Sequence, residues 1–471
     1  MPRACCIRHS DYVLPAFPSH FSQFIETESH LSKPPDDFDA IRLLMVFNRA
    51  TPWYLDIIGF KSYCRPVLSE PMLIADQSAN SGWRHRLSEM EIPITVGRDS
   101  TLSRTLKGVI RGRRITADEG IVLHNHNSFA GLCALADMIK RSRYGDHVYF
   151  NDNLHINPTN ICTLACRFCA FRKGLRHHES YALSPEEFVS RIESCGTSID
   201  EVHAVGGLHP QWTINHYAEI FRSIKARFPG IHIKSLTAVE IKHIAIRSGL
   251  SIRETLGALK EAGLGSLPGG GAEILVDSVR DRICRGKELS EEYLEIHGTA
   301  HSLGIPTNCT MLFGTVEEIV DRMTHLDTLR IQQDASGGFQ CFVPYPFLPD
   351  KARLPEARLA SANEIIRVIA TSRIMLDNIP HIKAYRMNLG DALASIAINS
   401  GADDIDGTVG HEEIMHEAGS TTRSDFSERE LARLVISSGL VPVKRDSTYS
   451  SLRIIGENER TNILQPLASP V

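Results

Sequence analysis

From about residue 101 the chain repeats one pattern: a short apolar run, a loop of polar residues or glycine, then a longer segment whose apolar side chains recur at helical spacing. The apolar runs fall at 154–157, 201–206, 231–236, 264–268, 306–312, 339–343, 381–385 and 403–407, which makes eight strand candidates. The segments between them carry helix-start chemistry. Ser184-Pro185-Glu186-Glu187 combines an N-cap hydroxyl, a proline at the first helical position and a capping glutamate, with Phe188, Val189 and Ile192 on one face and Gly196 as the stop. Ser251 and Glu254 form a second capping box, and Tyr217, Ile220, Phe221, Ile224 and Phe228 form an apolar stripe before Gly230. Ahead of the first run, Thr116 and Glu119 make another capping box, and 129–144 is another amphipathic segment. Strands alternating with helices predict a parallel sheet, and eight repeats over about 260 residues predict an α/β fold closed as a (β/α)8 barrel of the TIM type.

The first hundred residues do not share this order. Stretches such as "LSKPPDDFDAIRLL" and "NSGWRHRLSEMEIP" sustain neither a strand nor a helix period. Residues 1–100 are therefore set apart as an extension without an assigned function: a small extra domain, a partly disordered arm, or sequence upstream of the natural start. The expected organisation is then a helical lead-in over 101–150, the barrel over 151–450 and a C-terminal tail over 451–471.

Composition narrows the class. Lys and Arg number 51 against 56 Asp and Glu, so no charge excess points to nucleic acid or to a membrane surface. No apolar run approaches the roughly 18 to 20 residues that span a bilayer, and the N-terminus lacks the basic-then-apolar order of a signal peptide. A cytoplasmic protein is expected. The eleven cysteines are odd in number and concentrated at one place, which fits ligation in a reducing compartment better than a disulfide framework.

That place is "NPTNICTLACRFCAF", where Cys162, Cys166 and Cys169 have the spacing C-x3-C-x2-C just after the first predicted strand. In a barrel, everything that follows a strand lies on the face where barrel enzymes hold their active sites. Gly206-Gly207-Leu208-His209-Pro210 follows the second strand, and Pro268 to Glu273, with Gly269, Gly270 and Gly271, follows the fourth. Three thiolates on one short loop can hold three corners of a cubic [4Fe–4S] cluster and leave the fourth iron without a protein ligand. A structural zinc site closes with four ligands, for which His177 and His178 are the nearby candidates.

Plainer readings stand beside these. A Gly-Gly pair after a strand is by itself more often a tight turn than a ligand loop. Glu273 is as suited to capping the following helix as to binding a ligand. His155 and His209 are open between core or turn positions and a ligand role, while Cys195, Cys284, Cys309 and Cys341 read as small apolar residues and Cys5-Cys6 as incidental. In "HEEIMH", His411 and His416 are five residues apart, which turns the imidazoles away from each other on a helix, so a zinc-protease motif is rejected.

C-x3-C-x2-C after the first strand of a barrel resembles the radical S-adenosylmethionine (SAM) superfamily, with Phe168 where these enzymes commonly carry an aromatic residue. Taken with "VHAVGGLHP", "HIKSLTAVEI", "SLPGGGAEI", "TNCTMLFG", "LDNIPHIKAY" and "GADDIDGTV", the chain over roughly 101–450 is similar to the futalosine branch of menaquinone synthesis, most closely the aminodeoxyfutalosine synthase family. The resemblance does not reach residues 1–100. It implies a radical SAM barrel, a [4Fe–4S] cluster on Cys162, Cys166 and Cys169, SAM as co-substrate, and an electron donor such as a flavodoxin or ferredoxin.

It implies contacts to SAM from Gly206 and Gly207, although Leu208 stands where an acidic residue is usual, and from Gly269, Gly270, Gly271 and Glu273. The reaction implied is addition of the 5′-deoxyadenosyl radical to the enolpyruvyl double bond of 3-[(1-carboxyvinyl)oxy]benzoate. Arg282, Lys234 and Lys383 are candidate partners for its two carboxylates. A carbon radical must be kept from water and stray hydrogen donors, so a deep apolar mouth is expected. The alternatives are cyclic dehypoxanthinyl futalosine synthase, a subunit of the deazaflavin (FO) synthase of cofactor F420 assembly, and, outside enzymes, an iron–sulfur sensor or scaffold.

Overall fold

The computed structural model describes residues 82–195 and 199–455. Most of the N-terminal extension with Cys5 and Cys6, the helix stop at Gly196 and the end of the C-terminal tail lie outside the described residues.

All eight predicted strands are present. They are β1 His147–Phe150 with β2 Asn153–His155, β3 Glu201–Ala204, β4 His232–Ser235, β5 Leu264–Ser266, β6 Thr307–Phe313, β7 Phe339–Pro346, β8 His381–Ala384 and β9 Asp404–Ile405, followed by β10 Val441–Arg445 and β11 Leu452–Ile454. One sheet runs β2-β3-β4-β5 and the other β11-β10-β1-β9-β8-β7-β6, and a parallel bridge between Leu267 and Thr307 joins them. β1 and β2 are one strand interrupted at Asn151–Asp152: β1 pairs with β9, and β2 with β3. The Asn153 N–H donates to Thr408 Oγ1 at 3.0 Å and its carbonyl accepts from the Gly410 N–H at 3.1 Å. These bonds close the ring, so the expected (β/α)8 barrel is what the chain forms.

The helix starts follow the capping chemistry. Ser184, Thr237 and Ser251 each accept from the backbone N–H three residues on while the glutamate there bonds back, and Thr116 with Glu119 does the same. The apolar stripe of Ile214–Arg227 is buried against the sheet at Tyr217, Ile220, Phe221 and Ile224.

Three boundaries differ from expectation. Among the described residues helices begin at Trp83, not near 101: Trp83–Glu89, Ile94–Gly97 and Ser100–Ile110 pack against Phe129–Tyr144, with Trp83, Leu87 and Val96 buried. The first two are too short to show a period, and each of the three buries only one to three apolar side chains. The barrel's first strand begins at His147, inside the stretch assigned to the lead-in, because β1 is separated from β2 by two polar residues. The tail beyond 450 starts with β11, which pairs antiparallel with β10, and β10 lies parallel to β1.

The lower barrel interior is charged. Lys234 Nζ pairs with Glu201 at 2.6 Å, Lys383 with Asp404 at 3.0 Å, and Arg445, reaching in from β10, with Asp404 at 2.6 Å. Tyr449 donates its hydroxyl to Asp404 at 2.7 Å. All members of these three charged pairs are buried, so each ion survives out of water only because its partner is beside it.

Candidate active site

The cysteine loop leaves the top of β2 and is tied down along its first limb. Asn157 donates to Val205 O at 2.7 Å, Thr159 Oγ1 to Tyr181 O at 2.6 Å and Asn160 Nδ2 to Glu179 O at 2.9 Å. The Cys162 N–H donates to Lys173 O at 3.1 Å and the Thr163 N–H to Leu208 O at 3.1 Å. The flanking Asn and Thr residues thus serve the loop's own backbone, which fixes where the thiols stand.

The Gly206–Gly207 turn lies directly under this limb. A Cβ on Gly207 would sit 2.2 Å from Ile161 O, and one on Gly206 would sit 2.8 Å from Thr159 O. The Gly206 N–H donates to Glu240 Oε1 at 3.1 Å, and Glu240 also accepts from the Thr237 N–H and hydroxyl at 2.7 Å each. Burial raises the Glu240 carboxyl to about 7 against these bonds. A carboxyl therefore reaches the glycine turn from the next βα loop, while Leu208 supplies none. Glu240 was legible as the end of a T-x-x-E capping box, Thr237 to Glu240.

The second glycine tract is pressed equally hard against protein. Gly269 has φ +84° and would put a Cβ 2.2 Å from Asn308 O, and its carbonyl accepts from Tyr293 at 2.7 Å and Thr310 at 3.0 Å. A Cβ on Gly270 would meet Thr237 at 2.8 Å, and one on Gly271 would meet Glu288 at 2.9 Å. Backbone packing requires Gly269, a φ of +104° favours glycine at Gly271, and Gly270 meets only the Thr237 side chain. Glu273, at φ +47°, does not cap the next helix, whose N-cap is Val276; its carboxylate is paired with Lys287.

Lys287 is the residue that sequence reasoning missed. It is buried, holds Glu273, and lies 5.7 Å from the centre of the Phe168 ring, between the second and third cysteines of the loop. Burial opposes its charge, but Glu273, Glu288 and neighbouring thiols favour it and keep the ammonium form. Burial pushes the Cys166 thiol up to about 12, with Lys287 pulling the other way, and also raises Cys169. Burial outweighs Lys287 and leaves these as protonated thiols; metal ligation is what lowers such a pKa.

Among the described residues no three His, Cys, Asp or Glu side chains converge where a single ion would sit. Three thiols on one loop are the donor set that a [4Fe–4S] cluster takes, one at each of three irons. His177 and His178 stack on each other at 4.5 Å on the exposed side and add no fourth ligand pointing inward.

The mouth below the loop is polar, contrary to the apolar container expected. His155 and His203 have ring centres 4.5 Å apart, His155 Nδ1 is 3.0 Å from Glu412 Oε2, and Tyr385 donates to the same oxygen at 2.9 Å. Burial raises the Glu412 carboxyl, but the His155 and Tyr385 bonds outweigh it and hold it at about 2. His155, Tyr385 and Glu412 are held by one another, and His203 packs its ring against His155. His209 is a turn histidine whose Nδ1 accepts from the Gln211 N–H at 3.2 Å. Lys234 and Lys383 are engaged by Glu201 and Asp404 in the lower barrel, and Arg282 lies outside on the rim, donating to Val316 O at 3.4 Å. Cys284, Cys309 and Cys341 are buried, and Cys195 is half-buried. No described helix is long and apolar enough to cross a membrane.

Comparison with known proteins agrees with this geometry. The family model for the radical SAM superfamily matches residues 156–329, and that for the CofH/MqnC C-terminal region matches 336–458. The chain is 39% identical to the aminodeoxyfutalosine synthase of Thermus thermophilus over 76% of its length and 97% of that protein's. It is 36% identical to the 5-amino-6-(D-ribitylamino)uracil–L-tyrosine 4-hydroxyphenyl transferase of Methanothermobacter thermautotrophicus, over 72% of this chain and 94% of that one. It is 35% identical to the cyclic dehypoxanthine futalosine synthase of Streptomyces coelicolor, over 72% and 86%.

Among solved structures the fold resembles methylornithine synthase, with TM-score 0.59 and 18% identity over 71% of this chain and 96% of that one. It also resembles the [FeFe]-hydrogenase maturase of Carboxydothermus hydrogenoformans, with TM-score 0.59 and 16% identity over 80% and 86%. The chain belongs to the radical SAM superfamily, whose members use a [4Fe–4S] cluster and SAM, and within it to the futalosine-type family that includes the aminodeoxyfutalosine synthases.

Proposed function

We propose that this enzyme joins the 5′-deoxyadenosyl unit of SAM to the enolpyruvyl double bond of 3-[(1-carboxyvinyl)oxy]benzoate, with rearrangement onto the ring and loss of carbon dioxide, giving aminodeoxyfutalosine for menaquinone synthesis. The 39% identity to a protein of that name over nearly all of that protein's length carries the reading. Cys162, Cys166 and Cys169 would hold the cluster, which when bound supplies the electron that splits SAM into methionine and the 5′-deoxyadenosyl radical. The chain's own part is positional. The Gly206–Gly207 turn and Glu240 set a carboxyl and a backbone edge beside the cysteine loop. Lys287 and Glu273 place a buried ion pair on its inner side. The partnered lining of His155, Tyr385 and Glu412 holds its protons in fixed bonds.

The test is anaerobic turnover of the reconstituted protein with SAM, reductant and the enolpyruvyl ether, followed by mass spectrometry. The expected product contains the whole adenosyl unit. Free 5′-deoxyadenosine without an adduct would instead support the cyclising synthase, and aryl transfer from tyrosine the deazaflavin-type relatives. Cys166→Ala should lose the broad absorbance near ~400 nm that a bound cluster gives.

A further inference from the structure

The Glu412 carboxylate is the middle of an arc of side chains around the mouth. It accepts from His155 on one side and from Tyr385 on the other, while the Met415 N–H donates to its second oxygen at 3.0 Å. The bond to His155 has a fixed direction. Asn153 Oδ1 accepts from the Val409 N–H at 2.9 Å, so the amide nitrogen of Asn153 is the atom 3.3 Å from His155 Nε2; Nε2 therefore accepts, and Nδ1 donates to Glu412. Both nitrogens of His155 and both oxygens of Glu412 are thereby engaged.

The two ends of the arc are open. His203 lies opposite His155 in the β2–β3 register and packs against its ring, and Tyr345 of β7 meets Tyr385 edge-on with ring centres 5.1 Å apart. Each is half-buried, and neither the His203 ring nitrogens nor the Tyr345 hydroxyl has a hydrogen-bond or ionic partner among the described residues. β3 and β7 stand on opposite sides of the barrel, so the two open groups flank the mouth. Burial, with His155 beside it, lowers the His203 imidazole well below 6.5, and burial, with Glu412 near, raises the Tyr345 phenol far above 10. Both stay neutral at pH 7 and can donate a proton to a hydrogen bond. Between them one wall is apolar: Val343, Met387 and Val409 are buried in one cluster with Tyr385, and Tyr345 packs against it. The neighbouring cations are spent, Lys234 on Glu201, Lys383 and Arg445 on Asp404, and Lys287 on Glu273.

We infer that His203 and Tyr345 are the specificity-determining contacts for an aromatic substrate with two carboxylates, each donating to one carboxylate while the ring lies on the apolar wall. The inference rests on the proposed reading, which supplies such a substrate. Two donors held apart across a mouth select for the span between two carboxylates, which a single cation would not do. A hydrogen bond to a charged acceptor is worth about tenfold or more in affinity.

The experiment is titration calorimetry on the reconstituted protein with SAM and without reductant, comparing the parent with His203→Phe and Tyr345→Phe. Both variants keep an aromatic ring against its neighbour and remove the hydrogen-bonding atoms. The probes are the enolpyruvyl ether and its two monoamides, each with one carboxylate converted to a carboxamide. Each variant should bind the ether about tenfold more weakly or worse. One monoamide should show no further loss with His203→Phe, and the other none with Tyr345→Phe. Parental affinity for the ether in both variants overturns the inference. So does a weakening that is the same for the ether and both monoamides, which would mean that only the shape of the mouth has changed. Dithionite-driven SAM cleavage without the ether should stay at the parent rate in both variants; an equal fall there would place the defect at the cluster and overturn the assignment as well. If the parent binds the ether but its product lacks the adenosyl unit, the functional reading fails, while the calorimetry still decides the two contacts.

Discussion

At Gly207 there is no room for one more carbon. An added methyl would stand 2.2 Å from Ile161 O and 2.6 Å from its carbonyl carbon, both backbone atoms that cannot rotate away. Gly207→Ala must therefore lift the limb that leads into Cys162, at an overpacking cost of about 1–3 kcal/mol or more. The expected outcome is a lower midpoint in urea and a reduced iron-to-protein ratio after reconstitution; an alanine variant with parental values for both would refute this account of the turn. The glycine pair was visible in the sequence, as were the three cysteines, because spacing within one loop is written in consecutive residues. The part of Lys287 was not, nor was the reach of Glu240 to Gly206 beyond its capping box, because both depend on which loops the barrel brings side by side. Lys287 sits in an ordinary helix connection and becomes notable only when Glu273 and Phe168 are seen around it.

Strands of the barrel were legible one by one, since each is an apolar run between polar loops. What escaped was the part that depends on pairing. β10 reads as a short mixed segment, VPVKR, and only its parallel register with β1 shows that Arg445 enters the barrel floor. Arg445→Leu leaves Asp404 with Lys383 and Tyr449 alone, and breaking a buried pair on one side costs about 3–5 kcal/mol. The paired variant Asp404→Asn/Arg445→Leu removes both charges and should recover part of that loss in chemical denaturation. A double variant no more stable than the single one would show that the pair does not act as a unit. The polar floor also explains why the interior did not follow the apolar expectation: the sheet's inward face is filled by ions that satisfy each other.

Across the whole molecule, the chain's many histidines give a pH dependence that composition alone would not reveal. His297, His325 and His124 are buried, and burial lowers them from 6.5 to about 3, about 3 and about 4. The unfolded chain takes up their protons below pH ~6.5 while the folded chain refuses them, so stability is full above that pH and falls as the medium is acidified towards ~4. Three protons give a limiting slope of roughly 4 kcal/mol per pH unit. Thermal melts from pH 7 to 4.5 should show Tm dropping steeply below ~6, and a flat profile would contradict it.

The same architecture sets an order on synthesis. β1 leaves the ribosome early, yet it lies between β9 and β10, and its partner His147↔Val441 is about 290 residues away along the chain. Both edges of the first barrel strand must therefore wait, unpaired, until β9 and β10 have been made. An exposed strand edge of this kind is a point of contact for unwanted pairing. A strand made some 290 residues later is thus the one that shields the first.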